Sequence, residues 1–466
     1  MTAIALSILY GCATYHPMPL DRSTVTQRLM PPNMEAIRVE AKTIKHPILK
    51  PLDFDDRNGL SPDEAATLAV LANPKLRAIR DQRGVAAAQL LQAGILPNPQ
   101  LSFNLDVPTA GSTQGAVNAY NLGLSWDITS LIARGAKIDA AQAHAISVDL
   151  DVAWQEWQVA EAAKMHVFRL MLVEKQLALA RESEKDLGEN LAVVKRAFNL
   201  KEKTVLDLSA AESALDQARL SVLTLEQERE QERLELNKTL GLPSNSVVPV
   251  EQNIALPSWE FISPATNILD GIEERRLDLL ALKMGYKSQE ANLRAAIRSQ
   301  FPKINIGFSE SRDNTNIVST GFGITIDLPF FDRNQGQIAI ERATRKQLFD
   351  EYVSRLFEAQ SEIRRILSDI KSTQRQLSAT EESLPALERL VQVYNTAVQE
   401  GNADIINYYN ARNGLITKQI EALKLKRDLA DLGVALEIAA GEYLSIGKTS
   451  MPLVLGRTHS NGMTHK

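Results

Sequence analysis

The chain has 466 residues and carries 52 Lys plus Arg against 57 Asp plus Glu, a net charge of −5. This near balance, with no basic stretch interleaved with aromatic residues, argues against a nucleic-acid-binding protein. No window of 18 apolar residues occurs, so the sequence predicts no transmembrane helix.

The single cysteine, Cys12, follows an apolar N-terminal run and ends the sequence Leu9-Tyr10-Gly11-Cys12. One cysteine cannot form an internal disulfide and argues against a cysteine-based zinc site. An apolar run that ends in small residues is typical of an export signal. Leu-x-Gly-Cys resembles the bacterial lipobox, which implies that Cys12 is the lipidated first residue of the mature chain. The alternative is a chance cysteine: the run is short and lacks a preceding Lys or Arg, so the true start of the chain stays open.

Proline and turn residues dominate 13–60, which is predicted to be an extended segment lying over the rest of the chain. A helix is then predicted from Ser61, with Pro62 at its first position and Glu64 three residues after the cap. It is expected to reach about Gly94, with an interruption near Asn73-Pro74.

The chain contains an internal repeat with an offset of 200 residues. Gly123 and Asp127 correspond to Gly323 and Asp327, and the correspondence continues far downstream. Further pairs are Gln176 with Gln376, Leu177 with Leu377, Ala211 with Ala411, Leu215 with Leu415 and Gly241 with Gly441. Upstream the offset becomes 203, as in Leu76 with Leu279 and Pro99 with Pro302. The chain is therefore predicted to be two copies of one unit.

Each copy contains two stretches in which apolar residues alternate with small or polar ones. The alternating apolar positions are Leu101, Phe103, Leu105, Val107; Leu122, Leu124, Trp126, Ile128; Ile304, Ile306, Phe308; and Phe322, Ile324, Ile326, Leu328. A period of two predicts strands with two different faces. Two hairpins on a soluble core would give the same alternation, whereas strands of a membrane barrel would turn the apolar face to lipid and the polar face to water.

Long helices follow the strands in both copies and favour the barrel interpretation. Residues 136–199 contain no proline and one glycine, and a helix of that length approaches about 100 Å. The positions Ile146, Leu150, Ala153, Trp157, Ala160, Val167 and Met171 recur at coiled-coil spacing. Further helices are predicted over 205–240, 336–399, with a kink at Pro385, and 404–444. Such lengths do not suit a compact enzyme.

No catalytic set emerges from the sequence. The stretch from Gly441 to Gly447-Lys448-Thr449 has five spacer residues where a phosphate loop needs four. His144 and His166 lie 22 residues apart on one helix, about 33 Å, and cannot share a metal ion. The prediction is therefore a protein that is not an enzyme and has neither a cofactor nor a metal site.

These features resemble the TolC-like outer-membrane efflux proteins over roughly residues 60 to 445. The resemblance is carried by Leu71-Ala-Asn-Pro-Lys-Leu-Arg-Ala78, Leu96-Pro97, the strand-to-helix junctions and the two helix–turn–helix tips. The junction Leu328-Pro-Phe-Phe-Asp-Arg-Asn-Gln-Gly-Gln-Ile338 resembles that of the heavy-metal, cobalt–zinc–cadmium type, efflux outer-membrane proteins.

The resemblance implies a mainly α fold with a small β part, built from a duplicated strand–strand–long-helix unit. Three protomers would form a 12-stranded transmembrane β-barrel in the bacterial outer membrane, lipid-anchored, continued by a long α-helical periplasmic tunnel. The implied function is a passive exit duct for heavy-metal cations. The implied partners are two further copies of the chain, a periplasmic adaptor (membrane fusion) protein and an inner-membrane pump of the resistance-nodulation-division type.

The same resemblance divides the chain into segments. They are 1–12, the lipoprotein signal; 13–60, the extended segment; 61–242, the first repeat; 243–270, an equatorial linker; 271–444, the second repeat; and 445–466, a C-terminal tail.

The two helix–turn–helix tips are predicted to meet the adaptor and to narrow the tunnel. The adaptor-contact residues are Lys203, Thr204, Val205, Gly401, Asn402 and Ala403, and the gate residues are Asp207, Asp404, Asn407 and Asn410. Asn407 and Asn410 depart from the family pattern, because TolC carries aspartates there. Asp207 and Asp404 are equally well interpreted as solvated helix-start residues favoured by the helix dipole.

Two other functions remain open. A multidrug-efflux or type I protein-secretion channel would share the same architecture, because a tunnel wall need not bind its cargo. A coiled-coil structural protein of the envelope would also have long helices, although the two-faced strands and the lipobox argue against it.

Overall fold

The two repeats form one sheet and one array of long helices in the computed structural model, which describes residues 13–46, 48–55, 58–111, 114–256 and 265–442. Cys12 and the predicted C-terminal tail lie outside these residues. The first repeat comprises α3 (Pro62–Ala72), α4 (Pro74–Gly94), β1 (Gln100–Asp106), β2 (Ala119–Asp127), α5 (Ser130–Asn199) and α6 (Val205–Leu240), after α1 (Arg22–Arg28) and α2 (Met34–Thr43). The second comprises α7 (Ala265–Leu269), α8 (Ile272–Arg275), α9 (Leu277–Arg298), β3 (Ile304–Arg312), β4 (Val318–Ile326), α10 (Gln335–Gln399) and α11 (Ile405–Ala440).

The predicted helix start at Ser61 is confirmed. The Ser61 side chain accepts from the Glu64 amide while the Glu64 carboxylate accepts from the Ser61 amide, which closes a capping box with Pro62 at the first position. The predicted interruption is also confirmed, because Asn73 ends α3 and caps α4 through its side chain.

Several sequence predictions need correction. The segment 13–60, predicted to be extended, contains α1 and α2, which are capped by the Asp21 and Asn33 side chains. The helix predicted from residue 136 begins at Ser130, and the last one ends at Ala440 because Gly441 adopts a left-handed backbone. The strands also end earlier than the alternation suggested, at Asp106, Asp127 and Ile326.

The duplication is visible where each hairpin of long helices ends. Gly241 and Gly441, φ 70 and 69°, terminate α6 and α11. An added Cβ would lie 2.7 Å from the Ala72 carbonyl oxygen at Gly241 and 2.9 Å from the Arg276 Cα at Gly441. Only glycine allows this approach. In each repeat the long hairpin therefore abuts the start of the shorter helix, α4 or α9.

The strands form one antiparallel sheet in the order β1-β2-β3-β4. The helices repeat this order: α5 packs against α4 and α6 on one side and against α9 and α11 on the other, and α10 packs against α9 and α11. Strand β1 with α4 and α6 thus forms one flank of the protomer. Strand β4 with α10 forms the other.

The main core lies where the short and long helices meet. Trp157, Met171, Leu236 and Leu240 are fully buried there, with Leu68 of α3. The predicted coiled-coil positions of α5 are buried from Ala153 to Met171, whereas Ile146 is 39% exposed.

Pro385 lies inside α10 and does not end it. Among the described residues, no helix is both long and apolar enough to cross a membrane.

Candidate functional site: the two sheet faces and the helical tips

The strand register gathers the predicted apolar positions of the strands onto one face of the sheet. Phe103 lies opposite Leu122, Leu124 opposite Phe308, and Ile306 opposite Ile324. Residues opposite each other across a ladder point to the same side. Phe308 and Phe322 also pack together, with ring centroids 5.2 Å apart. We call this side the apolar face; Phe103, Leu124, Phe308 and Ile324 are 48–63% exposed on it.

The other side, here the polar face, carries only small or hydrophilic side chains within the strands. Its paired positions include Ser102 with Gly123, Asn104 with Asn121, Ser125 with Gly307, Asp127 with Asn305, Asn305 with Thr325, Gly307 with Gly323, Ser309 with Gly321 and Ser311 with Ser319. The predicted division into two faces is therefore confirmed across all four strands.

A polar cluster marks the loop end of the apolar face, and sequence reasoning missed it. The Tyr120 hydroxyl donates to Glu310 at 2.9 Å, and the Arg312 guanidinium carbon lies over the same ring, 5.2 Å from its centroid. Arg312 also donates to the Asn118 carbonyl oxygen at 2.9 Å. The register places Tyr120 opposite Arg312, so the charges offset each other where the apolar face ends. No local signal links Tyr120 to residues so far along the chain.

The predicted adaptor-contact residues lie at the two turns farthest from the sheet. The first turn joins α5 to α6 and contains Lys203 and Thr204, with Lys201 at φ 61°. The second joins α10 to α11 and contains Gly401 at φ 73°, Asn402 and Ala403. Val205 and Leu206 are 66% and 63% exposed directly after the first turn. The first tip therefore presents two apolar side chains to its surroundings.

Both predicted gate carboxylates cap helices. Asp207 accepts from the Thr204 amide at 2.8 Å and from the Thr204 hydroxyl at 2.7 Å. The backbone hydrogen bond from Thr204 holds the pKa of Asp207 below its ordinary value. Asp404 is the N-cap of α11 and accepts from the Ile406 amide at 3.0 Å. The geometry thus supports the helix-start role of both aspartates, at equivalent places in the two repeats.

The predicted asparagines lie one to two turns beyond the second tip. Asn407 and Asn410 are exposed, whereas Tyr409 between them is 5% exposed. Burial raises the pKa of Tyr409 to about 12, and the charge of Asp207 acts in the same direction. Tyr409 therefore brings the start of α11 close to that of α6. Asn410, Asn413, Gln217 and Ser213 line a groove of ≈ 420 Å³ between the two helices.

Ion pairs join the first helical hairpin to the second at several levels. Arg412 of α11 pairs with Asp186 of α5. Farther from the tip, Arg427 of α11 pairs with Glu228 of α6. Arg169 of α5 also pairs with Asp431 of α11, at 2.9 Å. These pairs span more than 190 positions in sequence, so their pairing could not be predicted from local patterns.

The N-terminal segment is fastened to α5 by a buried carboxylate. Glu156 is fully buried and binds His46 at 2.9 Å and also Arg80. Burial alone would raise the pKa of Glu156, but the hydrogen bonds and charges of His46 and Arg80 bring it below the ordinary value. Ile48 and Leu49 beside this pair pack into the same cluster as Trp157. The segment predicted to lie over the rest of the chain thus has a defined attachment point.

Among the described residues, no group of three or more His, Cys, Asp or Glu side chains could hold a metal ion. His144 is exposed, and His166 hydrogen-bonds to Glu232 at 3.1 Å. The two histidines are therefore not brought together.

The outer membrane efflux protein model matches residues 268–442, the second repeat. The cation efflux system protein CusC of Escherichia coli is 24% identical over 55% of this chain and 58% of its own length. The chain thus spans little more than half of that relative. The cobalt-zinc-cadmium resistance protein CzcC of Cupriavidus metallidurans is 23% identical over 75% of this chain and 81% of its own length.

Solved structures of outer-membrane channels have the same fold. A CusC crystal structure aligns with a TM-score of 0.69 at 19% identity, covering 82% of this chain and 93% of its own. The Campylobacter jejuni CmeC channel aligns with a TM-score of 0.69 at 15% identity, covering 88% and 93%. The family match therefore covers the second repeat, and these structures show that the chain has the fold of the solved outer-membrane channels.

Proposed function

We propose that this protein is the outer-membrane channel of a tripartite efflux system, a passive duct and not an enzyme. The observation that carries the proposal is the continuity of the two-faced sheet with α5 and α10, helices of 70 and 65 residues. Helices of that length reach about 100 Å. The apolar face would contact lipid, the polar face would line a water-filled lumen, and the helices would extend the lumen into the periplasm.

The open flanks of the protomer support a ring of three copies. Strands β1 and β4 are sheet edges, and unpaired edges do not persist in lipid. Two copies would give eight strands, a barrel filled by its own side chains, whereas three give twelve and leave a lumen. On the α10 flank, Phe349, Val353 and Phe357 are 54%, 49% and 70% exposed at helical spacing. Contact between this flank and the α4–α6 flank of the next copy would cover them.

The cargo we propose is heavy-metal cations. CusC is named for cation efflux and CzcC for cobalt-zinc-cadmium resistance. The pyoverdine export outer membrane protein OpmQ of Pseudomonas aeruginosa is also similar, 20% identical over 72% of this chain. Small-molecule export, including multidrug efflux, is therefore the second candidate, and type I protein secretion belongs to the same alternative.

The proposed partners are a periplasmic adaptor and an inner-membrane pump of the resistance-nodulation-division type, which would supply the energy. We place adaptor contact at Lys203, Thr204, Val205, Gly401, Asn402 and Ala403, where exposed Val205 offers an apolar contact. We place the narrow end of the tunnel at Asp207, Asp404, Asn407 and Asn410. Lipidation of Cys12 would anchor the chain in addition to the barrel.

The deciding experiment compares a deletion strain with the same strain expressing the chain. We expect expression to restore resistance to cobalt, zinc or cadmium ions and to lower the cellular content of that metal. A strain expressing Ile324→Arg, altered on the apolar face, should behave like the deletion, whereas Thr325→Arg should retain most of the resistance. Restored resistance to drugs without any effect on metals would select the second candidate. No change in either would overturn the efflux function.

A further inference from the structure

The polar face carries its ionisable side chains only at the two ends of the strands. Within β1 to β4, the register assigns just two ionisable residues to this face, Asp106 at the loop end and Asp127 at the helix end. The other positions on this face are Gln, Ser, Asn, Thr, Gly or Ala. On the apolar face, the charged residues Glu310 and Arg312 share Tyr120 and offset each other. The net charge of the strands therefore lies on the polar face and is negative.

The helix end of the polar face continues for one residue beyond β3 and β4. The Asp327 amide donates to the Lys303 carbonyl oxygen at 3.0 Å, so the ladder extends past both strand ends. By alternation, Lys303 and Asp327 lie on the same side as Asn305 and Thr325. Asp127, Asp327 and Lys303 together give one net negative charge per protomer at this end.

At the loop end the ladder also extends past β3 and β4, because the Asp313 amide donates to the Ile317 carbonyl oxygen at 3.1 Å. Asp313 lies by alternation on the same side as Ser311, so Asp106 and Asp313 give two negative charges per protomer there.

From this placement we infer that Asp106 and Asp127 make the barrel itself selective for cations, independently of the helical tips. The inference rests on the proposed function, because only a closed ring of three copies gathers the charges around one lumen. The ring at the helix end would then carry three net negative charges, and the ring at the loop end would carry six. Asp106 pairs with Ala119, and Asp127 lies eight residues farther along β2, so the rings are separated by about 27 Å along the strand.

The dimensions make the field effective at the axis. Twelve strands spaced about 4.8 Å apart and tilted by about 40° give a backbone radius of about 12 Å. A carboxylate that projects inward then lies about 9 Å from the axis. The distance from the carboxylate to the axis is comparable to the Debye length at 0.1 M salt, which is about 10 Å. At 1 M salt the Debye length is about 3 Å, so the same distance is about three Debye lengths. The rings would therefore concentrate cations at low and physiological salt and lose this effect at 1 M.

The test uses a single introduced cysteine as a reporter of local potential in the full-length chain. Ser125→Cys lies two residues from Asp127 on the polar face, and Asn104→Cys lies two residues from Asp106. Outer membranes that contain each variant are treated with a positively or a negatively charged methanethiosulfonate reagent. The ratio of the two modification rates reports the sign of the potential, whether the tips are open or closed. The chain without an introduced cysteine gives the background from Cys12.

We expect the cationic reagent to react faster at both reporters in 0.1 M salt. Asp127→Asn should lower the rate ratio at the Ser125→Cys reporter by about fivefold while changing the ratio at the Asn104→Cys reporter little. Asp106→Asn should do the converse. At 1 M salt, the rate ratios measured with both aspartates in place should approach those of the chains that carry Asp127→Asn or Asp106→Asn.

Two outcomes separate failure of this inference from failure of the proposed function. If both reporters react readily but neither aspartate changes the rate ratio, the lumen is open and its selectivity does not arise from these rings. If Ser125→Cys and Asn104→Cys are as unreactive as Leu124→Cys on the apolar face, the polar face does not line water, and the channel itself is refuted.

Discussion

Thr204 and Asp207 close a reciprocal set of hydrogen bonds at the start of α6. The Asp207 amide donates to the Thr204 hydroxyl oxygen at 3.2 Å, while the Asp207 carboxylate accepts from the Thr204 amide at 2.8 Å. A carboxylate held in a capping box is not free to rotate. Any ring that Asp207 forms in a trimer is therefore fixed at the level of the first tip.

The first prediction separates the charge of the tips from their helix-capping role. Asparagine is as good an N-cap as aspartate at Asp404, and an asparagine side-chain oxygen at position 207 can still accept from the amide of the N-cap Thr204. Asp207→Asn with Asp404→Asn should therefore keep the helix starts while removing two charges from each protomer. If the two aspartates form the gate that we propose, single-channel conductance and cation selectivity in planar bilayers should change. Asp216→Asn, with a 71% exposed side chain on α6, serves as the control. Unchanged channels in a well-assembled double variant would leave capping as their role.

The fold was predictable where the determinants are periodic or repeated. Alternation located the four strands, and the 200-residue offset located both hairpins and paired Gly241 with Gly441, although the last helix was predicted to continue past Gly441. The helices of the segment 13–60 were missed because α1 and α2 are short and their caps, Asp21 and Asn33, lie among prolines and turn residues.

The site was less predictable because its contacts are remote in sequence. The two faces followed from the period of two. The ion pair between Arg412 and Asp186 and the attachment of His46 to Glu156 depend on which elements become neighbours, and no local pattern encodes that. The tip residue Asp207 was located correctly as a helix-start residue, but its role in a gate depends on an assembly that one chain does not contain.

The second prediction concerns the two faces of the sheet. Arginine on the apolar face should impair membrane insertion by roughly 2–4 kcal/mol near the midplane and by less near the edges. Arginine on the polar face should cost less, because these positions face water in the proposed barrel. Folding into lipid vesicles, followed by denaturant titration, measures the difference. The apolar set is Phe103, Leu124, Ile306 and Ile324, and the polar set is Ser102, Ser125 and Thr325. Equal losses in the two sets would show that the strands do not cross a membrane.

The third prediction concerns Cys12, which lies outside the residues described by the structure. Cells that express the chain with its complete export signal should incorporate labelled palmitate into it. Cys12→Ser should abolish the label because the sequence has no other cysteine. Partial function should survive, since the proposed barrel also holds the protein in the membrane. Equal labelling of the two forms would refute lipidation at this residue.

The last prediction tests the attachment of the N-terminal segment through Glu156. Burial opposes ionisation of Glu156, but His46 and Arg80 outweigh it and lower the pKa of this carboxyl in the folded chain. Its charge therefore stabilises the fold above the unfolded pKa of about 4.3. This contribution should be lost as the pH falls through the folded-state value. Glu156→Gln should weaken the attachment already at pH 7, because His46 of the segment loses the carboxylate that it binds. It should also destabilise the fold by about 3 kcal/mol, because it leaves Arg80 of α4 without its charged partner in a largely buried site.

Hydrogen exchange of the Ile48 and Leu52 amides measures this attachment, since both are hydrogen-bonded within the segment, to the His46 ring and to the Ala41 carbonyl oxygen. In the wild type, the protection factors of these amides should be high at pH 7 and should fall as the pH is lowered below the unfolded pKa of about 4.3, whereas Glu156→Gln should have low protection factors already at pH 7. Glu189→Gln, at a site on the same helix away from this attachment, should match wild type. Because Ile48 also buries apolar surface against α5, full protection in Glu156→Gln at pH 7 would assign the attachment to packing and not to the ion pair.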